Sequence, residues 1–106
     1  MAIPASSALY GPLLRYMQPQ VAYTRPQLIE ALKASLGLDD TDDTQLFESH
    51  VKQALTNMSI AGLVAVKEPH VYVVSSVALT MLNTQATDKD LEFYVAQGLR
   101  EHRTQR

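Results

Sequence analysis

Apolar residues recur three and four positions apart in three segments of the first half of the chain, a spacing typical of amphipathic helices. The segments run from Ser7 to Met17, from Thr24 to Leu36, and from Asp43 or Thr44 to Met58. Their apolar positions are Leu9, Tyr10, Leu13, Leu14 and Met17 in the first, Leu28, Ile29, Leu32 and Leu36 in the second, and Leu46, Phe47, Val51, Ala54, Leu55 and Met58 in the third. The pattern predicts three helices.

Several residues mark where these helices begin and end. Pro12 has no N–H to donate, so a looser turn is expected before the regular part of the first helix. Thr24 and Gln27 have the spacing of a capping box at the start of the second helix. Gly37 and Gly62 stand where a helix commonly ends in a left-handed residue.

The pattern then changes from helical to extended. Two runs rich in β-branched residues, Leu63 to Val66 and Val71 to Val74, flank the four residues Lys67 to His70. This arrangement predicts a β-hairpin with a four-residue turn. Ser76 is expected to cap a short helix after the hairpin, and Thr87 opens a last helix.

The last helix has an apolar side and one large apolar residue away from it. The candidates for the buried side are Leu91, Tyr94, Val95, Gly98 and Leu99, and Phe93 falls off that side. Packing within the same subunit is the commoner use of such a helix. A leftover aromatic residue also suggests a partner surface, so Leu91, Phe93, Tyr94 and Leu99 are predicted as a dimer contact.

Three helices followed by a two-stranded hairpin is the order of a winged helix-turn-helix. We therefore predict an α+β fold, mostly α, with three helices, a two-stranded wing and two C-terminal helices. Residues 1–82 would form the winged-helix core. Residues 83–106 would form the C-terminal helix, with its dimer contact, and a tail.

Four stretches carry a resemblance to a known family. They are Ile3-Pro4 through Pro12-Leu13-Leu14-Arg15-Tyr16, Leu28 to Leu32 with Leu36-Gly37-Leu38, Val51 to Met58 with Ala61 to Val64, and Val71 to Val74. Together they resemble the N-terminal winged-helix domain of Mrr-type restriction endonucleases over residues 3–82. The chain departs from that family at the wing turn, which reads Lys-Glu-Pro-His, and 106 residues leave no room for a nuclease domain. The resemblance implies a free-standing winged helix without nuclease activity.

Composition narrows the class of protein. The chain has no cysteine, 46% apolar and 19% charged residues, and no apolar run longer than four residues. These values predict a single folded domain without disulfides or a membrane span. The first residues lack the basic start and apolar stretch of a secretory signal, so a cytoplasmic protein is expected.

The formal net charge of −2 is unevenly distributed. Residues 37–48 contain five acidic and no basic residues, whereas the rest of the chain is mildly basic. Asp39, Asp40, Asp42 and Asp43 supply most of this acidity. A solubilising loop that also favours the start of the third helix is the preferred interpretation. A docking patch for a basic protein partner is the alternative, and a calcium loop would need a glycine and a terminal glutamate that are missing.

The polar face of the third helix is the candidate for reading DNA. It contains Gln45, Ser49, Lys52, Gln53, Thr56 and Asn57. Amide side chains can bind adenine through two hydrogen bonds, and lysine can reach guanine or phosphate. Arg25, Lys67 and His70 are predicted phosphate contacts. A solvated helix face is the other interpretation of the same residues.

The sequence argues against an enzyme. The three histidines are isolated, no serine has the context of a nucleophile elbow, and four glycines cannot build a phosphate-binding loop. No metal and no cofactor are expected. The leading hypothesis is a homodimeric transcription regulator that binds double-stranded DNA. The alternative is a winged helix that serves as a protein-interaction subunit of a larger assembly, without DNA binding.

Overall fold

A computed structural model describes residues 5–37 and 44–104, which form a mostly helical α+β fold. The elements, in chain order, are a 3₁₀ turn at Ser6–Leu9, α1 at Tyr10–Tyr16, β1 at Tyr23–Thr24, α2 at Arg25–Leu36, α3 at Thr44–Ala61, β2 at Val64–Glu68, β3 at Val71–Val74, α4 at Ser76–Asn83 and α5 at Asp88–Thr104. The predicted fold class, α+β and mostly helical, is confirmed.

The helix ends follow the local signals in the sequence. The Thr24 hydroxyl accepts a hydrogen bond from the Gln27 N–H at 3.3 Å, and the Gln27 side-chain oxygen accepts one from the Thr24 N–H at 2.8 Å. Gly37 and Gly62 have φ values of +72° and +86°, a region that a side chain disfavours. The capping box and both helix stops are confirmed.

The cap of α4 is Ser75, so the prediction of Ser76 is wrong. The Ser75 hydroxyl accepts a hydrogen bond from the Ala78 N–H at 3.2 Å and donates one to the Gly62 carbonyl at 2.6 Å. Ser75 therefore caps α4 and also satisfies a carbonyl at the end of α3. Both serines can cap in principle, and the tertiary contact with Gly62 selects the first.

The three strands form one antiparallel sheet in the order β1-β3-β2. Tyr23 and Thr24 of β1 pair with Tyr72 and Val71 of β3, a strand that the sequence pattern did not predict because two residues show no alternation. The hairpin itself is confirmed, but its predicted four-residue turn is wrong. A bulge between Val66 and Glu68 lets β2 continue through Lys67, and the turn is formed by Pro69 and His70.

The core draws buried side chains from every helix. Among the largest are Leu9, Leu13, Leu14, Leu28, Leu32, Phe47, Leu55, Met58, Leu63 and Leu91. Leu46, predicted to share the buried face of α3, is instead 43% exposed. One residue corresponds to about 100° of helix rotation, which turns Leu46 away from the core beside Phe47.

Helix α5 packs closely against α3 and also contacts α1. A Cβ atom added at Gly98 of α5 would lie 2.8 Å from the Ala61 Cβ and 2.9 Å from the Ala61 Cα. The Arg15 guanidinium forms an exposed ion pair with Asp88 at 2.7 Å. No helix in the described ranges is long and apolar enough to cross a membrane. Helix α5 therefore packs on one side of α3, and the opposite side of α3 is exposed to solvent.

Candidate functional site

An exposed polar stripe runs along α3 on the side opposite the core. Gln45, Ser49, Lys52 and Thr56 are exposed and follow one another at intervals of four, three and four residues, which aligns them along the helix. Lys52 and Gln53 of the predicted polar face are exposed, and Val51 and Leu55 of the predicted apolar face are buried. This arrangement leaves the stripe accessible to a large ligand along three turns.

An open groove of about 470 Å³ lies between the start of α2 and this stripe. Its lining residues are Arg25, Pro26, Ile29 and Glu30 of α2 and Gln45, Glu48, Ser49 and Lys52 of α3. The structure thus brings together Arg25, Gln45, Ser49 and Lys52, four of the residues predicted to bind DNA.

Two carboxylates in this groove were missing from the sequence-based interpretation. Glu30 and Glu48 are both exposed and line the groove together with Arg25 and Lys52. Glu48 precedes Lys52 by four residues, the spacing at which opposite charges on a helix attract. That spacing was the signal that could have placed Glu48 on this face.

Two hydrogen bonds within the chain hold the side chain of Asn57, one of the residues predicted for a base contact. Its side-chain nitrogen donates a hydrogen bond to the Tyr10 hydroxyl at 3.0 Å, and its side-chain oxygen accepts one from the Gln53 side-chain nitrogen at 2.8 Å. Asn57 is half-buried and Tyr10 is buried. The Asn57 side chain therefore links Gln53 to the core. Tyr10 is 47 residues away, so no sequence pattern indicated this contact.

The hairpin turn lies directly beside the start of α2. The Arg25 N–H donates a hydrogen bond to the His70 carbonyl at 2.9 Å. His70 has a φ of +66°, and Lys67 is exposed at the bulge of β2. Two of the three predicted phosphate contacts, Arg25 and His70, are therefore adjacent. Lys67 is on the outer strand of the same hairpin.

Cations and carboxylates are balanced over this surface. Among the described residues, the lysines and arginines here are Arg25, Lys52 and Lys67, and the carboxylates in the groove and the hairpin are Glu30, Glu48 and Glu68. Nucleic-acid-binding surfaces commonly carry an excess of positive charge. Any binding of DNA here must rely on fewer phosphate contacts than such surfaces provide.

The four residues of α5 that were predicted as a dimer contact differ in how exposed they are. Leu91 is fully buried within the chain and has no surface for a partner, which corrects its assignment to that contact. Tyr94 and Leu99 are half-buried against the core, whereas Phe93 is 72% exposed. Phe93 is the most exposed large apolar residue of the described ranges.

The acidic residues Asp39, Asp40, Asp42 and Asp43 lie outside the described residues. Within residues 5–37 and 44–104, no three histidine, aspartate or glutamate side chains are grouped as metal ligands. No buried side-chain nitrogen or oxygen of these residues lacks a hydrogen-bond partner.

Comparison with known proteins gives no match to this chain among protein-family models, curated protein sequences or solved structures.

Proposed function

We propose that this chain is a winged-helix protein that binds double-stranded DNA, with α3 in the major groove and the hairpin beside the phosphate backbone. The observation that carries the proposal is the exposed polar stripe on α3, which stands opposite a buried apolar face. The sheet order β1-β3-β2 and the hairpin that follows α3 support the winged-helix part of the proposal, as does the resemblance to the Mrr-type domain.

The residues divide into two roles on this proposal. Gln45, Ser49, Gln53 and Thr56 would face base edges, where amide and hydroxyl groups can donate and accept hydrogen bonds. Lys52 would reach guanine or a phosphate from the middle of the stripe. Arg25, Lys67 and His70 would contact the backbone and fix the position of α3 without reading sequence. These roles make the chain a candidate transcription regulator.

The number of cations sets the expected strength of binding. When Arg25, Lys52 and Lys67 each neutralise one phosphate, the salt slope is about −2.7, so affinity should fall roughly 40-fold between about 50 and 200 mM salt. A homodimer that doubles the contacts would lose roughly 1,800-fold over the same range. The slope therefore reports how many subunits contact the duplex.

The homodimer is part of the proposal, with Phe93 as its central contact and Tyr94 and Leu99 as half-buried residues on the two flanks of the same helix. A largely exposed phenylalanine on the outer side of α5 is unfavourable in water and would be buried by a second subunit. Two copies would also double the phosphate contacts, which compensates for the small number of cations on one copy.

Titration of a mixed-sequence duplex at two salt concentrations tests the proposal. Binding at about 50 mM salt with the loss calculated above supports it. Absence of binding at about 50 mM salt, for a folded protein, would refute it.

The second candidate is a protein-interaction subunit without DNA binding. The balanced charges in the groove favour it, because Glu30 and Glu48 offset Arg25 and Lys52. The acidic residues between α2 and α3 would add a docking patch for a basic protein. Failure to bind duplex DNA, together with salt-sensitive binding to a basic protein such as a histone, would favour this candidate.

A further inference from the structure

A chain of two hydrogen bonds connects the exposed end of Gln53 to the buried Tyr10. The Gln53 nitrogen donates to the Asn57 oxygen at 2.8 Å, and the Asn57 nitrogen donates to the Tyr10 hydroxyl at 3.0 Å. Tyr10 is 3% exposed and is part of the core, so its hydroxyl is a fixed point. The connection joins α1 to the exposed side of α3.

This connection distinguishes Gln53 from the other glutamine of the same helix face. Gln45 is exposed and makes no side-chain hydrogen bond within the described ranges. A free glutamine side chain must lose rotational freedom before it can make two hydrogen bonds at once. Gln53 has already lost part of that freedom in the unbound protein, which lowers the entropic cost of a contact.

The hydrogen bond to Asn57 leaves a matched pair of groups on Gln53. A carboxamide nitrogen carries two N–H groups, of which Asn57 occupies one, and the Gln53 oxygen has no partner within the described residues. The remaining N–H and the oxygen belong to the same planar group, so the side chain still offers one donor and one acceptor. Adenine presents the complementary pair in the major groove, an acceptor at N7 and a donor at N6.

We infer that Gln53 reads an adenine in the major groove and that Asn57 and Tyr10 are positioning residues that hold its side chain for this contact. The inference rests on the proposed function and deepens it, because it names one base and the residue that selects it. Asn57 contributes to specificity without touching the duplex.

Selection of bound duplexes from a random pool tests the base preference. The wild-type protein should enrich adenine at one position of its site. Gln53→Ala should reduce that preference about 10-fold, within the range that a contact through two hydrogen bonds supplies. Gln97→Ala, the matched control at an exposed glutamine of α5 outside the proposed DNA surface, should leave adenine at that position unchanged. Retention of the preference by Gln53→Ala would overturn the inference, whereas failure of every duplex to bind would overturn the proposed function itself.

Tyr10→Phe tests the positioning role, since it removes only the hydroxyl and keeps the ring in the core. We expect the adenine preference to weaken about 3-fold while the affinity for mixed-sequence duplex stays within about 2-fold of wild type. A change in thermal stability alone, with the preference intact, would show a merely structural role and overturn the positioning inference.

A measurement without DNA tests the positioning of the Gln53 side chain separately from its contact with adenine. In nitrogen-15 relaxation, the Gln53 side-chain amide should be more ordered than that of Gln45, and Asn57→Ala should remove the difference. Equal mobility of the two amides in the wild-type protein would contradict the positioning role even if the protein binds DNA.

Discussion

Gly98 of α5 lies close to Ala61 of α3, and its substitution tests how tightly these two helices pack. In Gly98→Ala, the new Cβ would lie 2.8 Å from the Ala61 Cβ and 2.9 Å from the Ala61 Cα. Carbon atoms prefer separations of about 3.5–4.0 Å, so the two helices would have to move apart by about 0.6–1.2 Å. Since one of the two atoms belongs to the backbone, a side-chain rotation cannot relieve the contact.

Two effects of this substitution oppose each other. Alanine is favoured over glycine within a helix by about 1 kcal/mol. Overpacking of a well-packed contact costs about 1–3 kcal/mol. We expect the overpacking to prevail, with a net loss of about 1 kcal/mol in the free energy of unfolding. For a chain of this size, that loss corresponds to a decrease in Tm of about 4–8 °C.

Thermal unfolding followed by circular dichroism measures this effect, and a double-mutant cycle isolates the contact. Ala61→Gly in the Gly98→Ala background should recover part of the lost stability, because it removes the opposing methyl group. Gln97→Ala, an exposed neighbour on the same helix, should change Tm little. An increase in Tm for Gly98→Ala would refute the reasoning, since it would show that the helices separate at no cost.

Three further predictions concern the cap of α4, the α5 surface and the groove. Ser75→Ala should lower the free energy of unfolding by about 1–2 kcal/mol, because it removes both the cap of α4 and the hydrogen bond to Gly62. Ser76→Ala should change the free energy of unfolding by less than about 0.5 kcal/mol. Chemical denaturation measures both variants, and equal effects would contradict Ser75 as the cap. Phe93→Asp should halve the mass measured by light scattering, and a wild-type protein that is monomeric at micromolar concentration would contradict the dimer. Glu48→Gln should tighten duplex binding about 2-fold at low salt, because it removes a negative charge near phosphate, and fluorescence anisotropy measures the change. Glu92→Gln on α5 is the control and should not change the affinity. Equal effects of the two variants would show that Glu48 is not part of the DNA-binding surface.

The elements that follow from local signals were predictable from the sequence. Thr24 and Gln27 are three residues apart, so their reciprocal hydrogen bonds need no distant partner. Gly37 and Gly62 adopt a conformation that their own lack of a side chain allows. The long apolar face of α3 similarly predicted which side of that helix is buried, with Leu46 as the error at its edge.

The features that depend on distant contacts were not predictable. The two-residue strand β1 exists because it pairs with β3, about fifty residues later in the chain. The choice of Ser75 over Ser76 depends on the Gly62 carbonyl. The link from Gln53 through Asn57 to Tyr10 requires α1 and α3 to be packed first. In each case the sequence contains residues that could form the contact, and the tertiary structure determines which of them do.

The most direct test of the proposed function compares two lysine variants with the same change in net charge. Lys52→Gln removes a cation from the α3 stripe, and Lys89→Gln removes one from α5. In duplex titrations at several salt concentrations, Lys52→Gln should bind more weakly and reduce the salt slope by about 0.9 for each subunit bound, while Lys89→Gln should match the wild type. If both variants bind DNA as the wild type does, or if both weaken equally, α3 does not enter the major groove of the DNA and the central proposal is contradicted.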